Sequence, residues 1–451
     1  MPLTVLGESD VRRLLLTLDQ DEVLEMANNL AEALHEYSTG TQETTGCCSS
    51  NQPQRISIPA PKSRTTLFMP ASTSTSRGIK IVSLEVSSGP SLPSPTASDK
   101  GSLHHSPSTA SSITASIPSR SSTVSSHSSH TPSTPNTPST SISNLSLRPS
   151  PSLKSTESTA PIGSLTLLTP FGTPYAIVSA EELTAFRTAL ASTLLFNKRQ
   201  HVHNITVFGA GKQAYWHIRL ALLLKGSAIH HIDIVNRSFD RAKSLMQEIY
   251  SDEWADIRHD KLKISILSSE YGEYTRLLKE HVRKADALFL CTSSIDPLFP
   301  AEHLTSSEGR KKGRYISAVG SYRPHMVELH PDILKQAVSP DHKHHHHKHA
   351  EKSGVIIVDS LESCMKEAGE IREAGLRPEQ LVEVGELLMV KKAAMKEIEM
   401  GGEGEKGLKR WLESGNVIYK SVGLGLMDIC VGEDIVGVAR EKGLGTTIEG
   451  F

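Results

Sequence analysis

The sequence predicts an α/β fold in which a parallel sheet is covered by helices on both faces. Two observations lead to this prediction. Short apolar strands alternate with helical stretches over residues 200–360, and a complete βαβ unit lies within residues 203–237. This alternation is typical of parallel sheets, because consecutive parallel strands need a crossover connection that a helix provides.

The βαβ unit is organised around a glycine turn, Gly209-Ala-Gly211-Lys-Gln-Ala214. The strand at residues 205–208 leads into the turn, a helical segment closes at Gly226, and residues 229–235 form a second strand. Gly209 permits the tight bend, and Gly211 lets the backbone approach a pyrophosphate at the helix N-terminus. This order predicts a dinucleotide site with Gly209, Gly211, Lys212 and Gln213 as contacts. The alternative is a purely structural turn.

Length and charge restrict the class of protein. The chain has 451 residues, which is enough for two or three domains with cores of their own. A formal net charge of −2 argues against a nucleic-acid or membrane-surface partner chosen by bulk charge. Five cysteines without metal-ligand spacing indicate thiols in a reducing compartment. With no signal peptide and no apolar run near 18 residues, we expect a soluble cytoplasmic protein.

The chain before residue 87 predicts helices and strands of an ordinary core. Residues 3–6 suggest a strand, Ser9 or Asp10 caps a helix through Leu18, and Asp19 starts an amphipathic helix. Three strands separated by polar turns follow at residues 55–59, 67–71 and 78–86.

Residues 87–160 are rich in Ser, Thr and Pro and contain no aromatic residue. Such a segment cannot bury enough apolar surface to offset its ordering entropy, so we predict a disordered insertion. Its Thr-Pro and Ser-Pro dipeptides suggest phosphorylation sites, and a tolerated surface-loop insertion is the alternative.

Order returns at Ile162 and continues to the C-terminus. The predicted elements are strands near residues 165–168 and 176–178, a helix capped by Ser179 through Phe196, a helix capped by Ser238, a strand at 262–267, a helix at 274–284, strands at 287–290, 314–319 and 355–358, and a last helix after the glycine-rich residues 417–428.

Two further insertions interrupt this pattern. A histidine run at residues 342–349 lies in a loop predicted at 341–353, and a charged, glycine-rich segment covers 391–414. The run has no carboxylate or cysteine partners at fixed spacing, so we predict a solvated loop and no metal site.

Three cations stand in segments that otherwise look half-buried: Arg55, Lys80 and Arg187. Arginine offers a planar fork that suits a carboxylate, whereas lysine shifts its pKa readily and moves protons. A snorkelling or ion-paired side chain is the alternative for each of them.

The end of the second βαβ strand bears on the choice of cofactor. NAD sites usually place an acid there for the ribose 2′-hydroxyl, whereas an arginine accommodates the NADP phosphate. Asn236-Arg237-Ser238 contains no acid, and Arg237 and Ser238 suit a 2′-phosphate. The sequence therefore favours NADP(H) over NAD(H), and Arg237 as a solvated strand-end cation is the alternative.

Several motifs occur together in one order. They are Arg55, LFMPA with Lys80 eleven residues beyond Met69, LTAFRTALAS around Arg187, VFGAGKQA, CTSS at 291–294, AVGSYRPHMVELHPDIL from Ala318, VIIVDS and the terminal YKSVGLGLMD. In these motifs the chain resembles the ornithine cyclodeaminase and mu-crystallin family of nicotinamide-dependent proteins, over nearly everything outside the three insertions.

The resemblance implies a domain layout. It gives a Rossmann-type NAD(P)-binding domain at residues 200–390. An α+β substrate-binding and dimerisation domain is built from residues 1–86, 161–199 and 415–451. A homodimer acting on a small amino or imino acid is expected.

The resemblance also implies roles for site residues. Arg55, Lys80 and Arg187 fall where the family binds the substrate carboxylate, and Lys80 becomes the proton-handling group. Thr292, Val319 and Ser421 align with positions near the nicotinamide and its ribose.

The chain departs from the cyclodeaminases at two positions. Tyr322 stands where they carry a catalytic Asp. They also carry a Glu just before the Met-Pro pair, whereas this chain has Leu67 and Phe68 ahead of Met69-Pro70. Cyclising ornithine needs an acid or base to manage the released ammonia, whereas reducing a C=N bond needs a hydride, a carboxylate clamp and one proton donor. The sequence therefore favours an NADP-dependent reductase of a small cyclic ketimine, or an enzyme interconverting an amino acid and its imine. Ornithine cyclodeaminase and a catalytically silent NADP(H)-binding protein are the alternatives.

Overall fold

The computed structural model describes residues 2–40, 52–60, 64–85, 162–339, 354–388 and 403–451. Fifteen strands are defined within these ranges: β1 (Leu3–Leu6), β2 (Ile56–Ala60), β3 (Arg64–Ser72), β4 (Arg77–Glu85), β5 (Ile162–Leu168), β6 (Pro174–Ser179), β7 (Asn204–Phe208), β8 (His231–Val235), β9 (Lys263–Leu267), β10 (Ala287–Leu290), β11 (Tyr315–Ala318), β12 (Ile356–Val358), β13 (Leu381–Glu383), β14 (Val417–Lys420) and β15 (Thr446–Ile448).

Twelve helices of four or more residues begin and end within these ranges. They are α1 (Glu8–Leu16), α2 (Gln20–Thr39), α3 (Ala180–Phe196), α4 (Lys212–Lys225), α5 (Phe239–Ile249), α6 (Tyr274–Lys284), α7 (Glu302–Thr305), α8 (Pro331–Val338), α9 (Leu361–Glu367), α10 (Gly369–Ala374), α11 (Glu403–Ser414) and α12 (Gly425–Glu441).

An eight-stranded parallel sheet has the order β13-β12-β14-β11-β10-β7-β8-β9. The chain runs outward from β7 through β8 to β9, then returns to β10 on the other side of β7. In open α/β sheets, ligands bind outside the carboxyl ends of the strands at such a reversal. The predicted α/β fold with a Rossmann-type sheet is confirmed, and the ends of β7 and β10 mark the candidate binding site.

A seven-stranded mixed sheet has the order β15-β1-β6-β5-β4-β3-β2. Strand β4 pairs antiparallel with both β3 and β5, and its even-numbered residues from Gly78 to Leu84 are buried. Because side chains alternate along a strand, the same inner face carries Leu67 and Met69 of β3 together with Lys80. Helices α3 and α12 pack directly against this sheet, and α2 packs on both of them. Lys80 is therefore buried between the sheet and the helices.

The N-terminal helices follow from the local sequence, with one difference. Asp19 caps α2 by accepting a hydrogen bond from Glu22 N at 2.8 Å, as predicted. Helix α1 begins at Glu8 and not after Ser9 or Asp10, because the Asp10 carboxylate reaches back to Gly7 N at 3.1 Å from the third helical position. Ser179 precedes α3, but its hydroxyl donates to Glu8 Oε2 at 2.6 Å and caps no N–H of α3.

The C-terminal tail contributes to both sheets. Residues 417–420 form β14, which lies between β11 and β12 in the parallel sheet, whereas the predicted boundary at residue 415 assigned them to the other domain. Helix α12 then packs on α2 and α3, and β15 pairs with β1. All four residues of β14 are buried, and a short apolar run of this kind is compatible with either sheet. Its sequence therefore does not predict which strands it pairs with.

The predicted insertions fall mainly outside the described residues. Residues 87–160 and the histidine run at 342–349 lie outside them altogether. Of the charged segment at 391–414, residues 403–414 form helix α11, in which Leu412 is buried and Trp411 packs against the core. Within the described ranges, no helix combines the length and the apolar character needed to cross a membrane.

Candidate active site

The glycine turn joins β7 to α4 at the reversal of strand order. Gly209 has φ +109°, and a Cβ there would lie 2.8 Å from the carbonyl oxygen of Cys291, so only glycine fits without a shift. A Cβ on Gly211 would meet no described atom within 4 Å. The first turn of α4 therefore starts beside open space, and the N–H groups of a helix N-terminus suit an anion such as a pyrophosphate.

The loops after β10 and β11 are held together by the carboxylate of Glu328. Its Oε1 accepts from Thr292 N at 2.7 Å and Thr292 Oγ1 at 3.2 Å. Its Oε2 accepts from Gly320 N at 2.7 Å and Ser321 N at 3.1 Å. Val319 N continues the sheet by donating to Leu290 O. Glu328 thus fixes the two loops that line the crevice, and Thr292 and Val319 are two of the predicted cofactor contacts.

A second polar cluster lies behind these loops. Lys420 Nζ donates to Ser321 O at 2.6 Å and pairs with Glu370 Oε1 at 3.1 Å, with both charged side chains 1% exposed. Burial and the nearby Glu370 carboxylate raise the pKa of Glu328 to about 7, against the opposing effects of Lys420 and the backbone N–H donors.

This raised pKa predicts how stability depends on pH. The folded state holds a proton on Glu328 up to about pH 7, whereas the unfolded chain releases it near 4.5, so the stabilisation is present at low pH and is lost between pH 4.5 and 7. We expect a loss of about 3 kcal/mol over that window. Urea unfolding at both pH values measures it, with Glu328→Gln as the non-titrating control. Equal pH slopes in the two proteins would contradict the prediction.

Lys80 and Arg187 meet at one carboxylate, Asp428. Lys80 Nζ donates to Asp428 Oδ1 at 2.7 Å, and Arg187 Nε donates to the same oxygen at 3.1 Å. The three side chains are 2%, 5% and 0% exposed. Burial and Arg187 lower the pKa of Lys80 while Asp428 raises it, and the balance is a pKa of about 8.

The guanidinium of Arg187 has space because Gly423 has no side chain. Gly423 has φ +91°, and a Cβ there would lie 3.1 Å from Arg187 Nη2. The backbone at Gly423 is held by Asp359, whose Oδ2 accepts from Gly423 N at 2.7 Å and from Ser421 Oγ at 2.7 Å. Ser421, one of the predicted cofactor contacts, therefore shares the Asp359 carboxylate with the backbone of Gly423.

Arg55 has a different partner from the other two predicted cations. Its guanidinium is paired with Glu367 at the end of α9, and both side chains are 24% exposed. Burial lowers the pKa of Arg55, and Asp359, Arg323 and Tyr322 are close enough to act on it electrostatically. Arg55 therefore lies at the carboxyl edge of the parallel sheet, where its guanidinium is engaged by a carboxylate of the chain itself.

The two positions that depart from the cyclodeaminases adjoin one apolar cluster. Leu67 is buried with Met69 and Val82, and Tyr322 packs against this cluster. Burial raises the pKa of the Tyr322 phenol, against the effects of Arg323 and Arg55, so the phenol is neutral at pH 7. Neither position supplies a carboxylate.

The remaining predicted cofactor contacts differ in their surroundings. Lys212 Nζ lies within 3.0 Å of carboxylate oxygens of Glu8, Glu181 and Glu182, which outweigh burial and raise its pKa. Its ammonium is thus occupied by these acids. Gln213 Nε2 lies 3.5 Å from Thr184 O.

Of the residues after β8, Ser238 caps the following helix, as predicted. Asn236 Nδ2 donates to Ser238 O at 2.8 Å, and Ser238 Oγ caps α5 by accepting from Arg241 N at 3.3 Å. Arg237 is exposed, and its guanidinium has no hydrogen bond or ion pair with any described residue.

Sequence reasoning did not single out Asp428 or Glu328 as site residues. Each is an acid inside an otherwise apolar stretch, Met427-Asp-Ile429 and Val327-Glu-Leu329. Such carboxylates are seldom fully buried without a partner, which is a usable signal. The identity of the partners depends on tertiary contacts, because Lys80 and Asp428 are 348 residues apart.

Comparison with known proteins adds a family and a fold. An uncharacterized protein of Saccharomyces cerevisiae is 29% identical over 58% of this chain and 70% of its own length. The Delta(1)-pyrroline-2-carboxylate reductase of Bacillus cereus is 26% identical over 64% of this chain and 74% of its own. The solved structure of Thermococcus litoralis Delta(1)-pyrroline-2-carboxylate reductase in complex with NADH and L-proline covers 98% of this chain and 99% of that one, with a TM-score of 0.57 and 17% identity, which shows the shared fold.

The model of the ornithine cyclodeaminase/mu-crystallin family matches residues 165–442, more than half of the chain. The matched residues include Arg187, the glycine turn and Asp428, which carry the geometry described above. The chain belongs to the ornithine cyclodeaminase/mu-crystallin family.

Proposed function

We propose that the protein is an NAD(P)H-dependent reductase of a small cyclic imino acid, or an enzyme that interconverts an amino acid and its imine. The observation that carries this proposal is the buried pair of Lys80 and Arg187, which provides a proton donor beside a carboxylate-binding cation. The reductase relatives from Bacillus cereus and Thermococcus litoralis support the substrate class.

Each group has a distinct task in this reaction. Arg187 donates through Nε to Asp428 and through Nη1 to Met427 Sδ at 3.5 Å, so Nη2 remains for a substrate carboxylate. Lys80 has a pKa of about 8 and is mostly protonated at neutral pH, which suits a general acid for the imine nitrogen. The bound nicotinamide supplies the hydride. Open space at Gly211 and the start of α4 fit its pyrophosphate.

The reductase is favoured over ornithine cyclodeaminase by the chemistry at residues 67 and 322. Cyclisation with loss of ammonia needs an acid or base for the released ammonia, and neither Leu67 nor neutral Tyr322 supplies a carboxylate for that task. Reduction of a C=N bond is complete with one proton and one hydride.

A substrate panel with both cofactors tests the proposal. Cyclic ketimines such as Delta(1)-pyrroline-2-carboxylate are mixed with NADPH or NADH, and cofactor oxidation is followed at 340 nm (nicotinamide absorbance). L-Ornithine is assayed in parallel for ammonia release without net change of cofactor, which would identify a cyclodeaminase. Cofactor binding in calorimetry without turnover of any substrate would identify a silent binding protein.

Arg237 tests the preference for NADP(H) that forms part of this proposal. Its exposed guanidinium at the end of β8 suits a 2′-phosphate, and a charge-assisted contact of this kind contributes about 1.5–3 kcal/mol. We expect Arg237→Ala to weaken NADPH binding by about 10- to 100-fold and to leave NADH binding within a factor of two or so. Calorimetry with both cofactors measures this, and equal weakening of both would contradict the preference. Arg241→Ala, one turn into α5, is the matched control.

A further inference from the structure

We propose that Asp428 is a positioning residue that holds the Lys80 ammonium in place and keeps it protonated through neutral pH. This inference rests on the proposed function of Lys80 as proton donor. Asp428 itself need not touch the substrate, because it acts through Lys80 and Arg187.

The geometry places Asp428 at the meeting point of three elements. Lys80 comes from β4, Arg187 from α3 and Asp428 from the first turn of α12. A single carboxylate oxygen, Asp428 Oδ1, accepts hydrogen bonds from Lys80 Nζ at 2.7 Å and from Arg187 Nε at 3.1 Å. Both cations are therefore held by the same atom, and their separation is set by it.

The charged groups around Lys80 are few. Helix α12 contributes Asp428 and α3 contributes Arg187. The residues opposite Lys80 on β3 and β5 are Met69 and Leu165, and both are uncharged. Among the described residues, Asp428 is thus the acid that offsets the repulsion from Arg187 and the cost of burial.

Loss of this carboxylate has a defined electrostatic result. A buried ammonium without a counterion releases its proton more readily, so the pKa of Lys80 falls from about 8 toward or below neutrality. A neutral Lys80 cannot protonate an imine at physiological pH. The ammonium also loses its fixed hydrogen bond, so proton transfer is slowed even where Lys80 is charged.

The other oxygen of the same carboxylate makes Asp428 unusual for a purely structural residue. Oδ2 is buried and has no hydrogen-bond partner among the described residues. A carboxylate kept only for packing would normally satisfy both oxygens. Asp428 instead directs its described hydrogen bonds to the two cations of the candidate site.

The test uses the titration of Lys80 and the pH profile of reduction together. The wild-type protein, Asp428→Asn and Asp428→Glu are labelled with ¹³C at the lysine Cε, and the Lys80 resonance is assigned through its loss in Lys80→Arg. We expect the Asp428→Asn midpoint to be lower than the wild-type midpoint by about one pH unit or more, and Asp428→Glu to stay close to wild type.

The pH dependence of kcat/KM should report the same change in the pKa of Lys80. In Asp428→Asn, the high-pH limb of kcat/KM for a cyclic ketimine should move down by the same amount, and the rate at pH 7.5 should fall by about 10-fold. Asp434→Asn, which removes a partly buried carboxylate of α12 that bonds to Asn29, is the matched control and should leave the limb unmoved.

The outcomes separate this inference from the proposed function. Without ketimine turnover in the wild type, the proposed function fails, and the Lys80 titration still reports on Asp428. An unchanged Lys80 midpoint in Asp428→Asn overturns the inference even if the wild type is active. Should Asp428→Asn not fold, Asp428→Ser removes the same charge with a smaller side chain and is read in the same way.

Discussion

Replacing Lys80 by methionine should reduce ketimine reduction by a factor of about 10² to 10⁴, the usual contribution of a positioned general acid. Methionine keeps most of the volume of the side chain beside Met69 but has no proton to donate. Cofactor binding should be unchanged, because the glycine turn and the loops held by Glu328 do not contact Lys80 through any described hydrogen bond.

The pH dependence of the wild-type rate tests the role of Lys80 independently. Lys80 acts as an acid, so the rate should fall as the pH rises through about 8, where the ammonium is lost. Lys80→Met should show no such limb in its residual activity. Lys366→Met, at an exposed lysine on α9, is the control and should behave as wild type. Full turnover in a correctly folded Lys80→Met protein would remove Lys80 from the mechanism.

Substitution of the two turn glycines should separate folding from cofactor binding. Gly211→Ala adds a methyl group where no described atom lies within 4 Å, so the unfolding temperature of the cofactor-free protein should change little. The same methyl group occupies the space through which a pyrophosphate reaches the backbone, so NADPH affinity should fall by about 100-fold.

Gly209→Ala should instead lower the stability of the cofactor-free protein. Its Cβ meets the Cys291 carbonyl oxygen at 2.8 Å, and φ is +109°, so the cofactor-free protein itself should lose about 1–3 kcal/mol of stability. Thermal unfolding and calorimetric titration of both variants measure these effects. Unchanged NADPH affinity in Gly211→Ala would show that the turn is purely structural.

The sequence predicted the elements whose signals are local. The βαβ unit around Gly209 and the helix at 274–284 were predicted because turn residues and apolar periodicity lie within a short window. Residues 417–420 were placed with the substrate-binding domain, whereas they form β14 of the parallel sheet, because a buried run of four residues carries no information about its neighbours.

The candidate site was predicted in part. Resemblance brought Lys80 and Arg187 together, and the structure joins them at Asp428, which the sequence did not single out. Arg55 was placed beside them, but the structure pairs it with Glu367. These partners come from segments more than 200 residues apart, so their identity depends on the folded chain and cannot be read from spacing.

Transfer of a labelled hydride tests the central claim most directly. The protein is incubated with Delta(1)-pyrroline-2-carboxylate and NADPH or NADH that carries deuterium at the transferable position of the nicotinamide ring, and the product is analysed by mass spectrometry. A reductase built on Lys80 and Arg187 yields proline with one deuterium at Cα and one oxidised cofactor per product. Absence of labelled proline, with wild-type protein shown to bind the cofactor, would contradict the account.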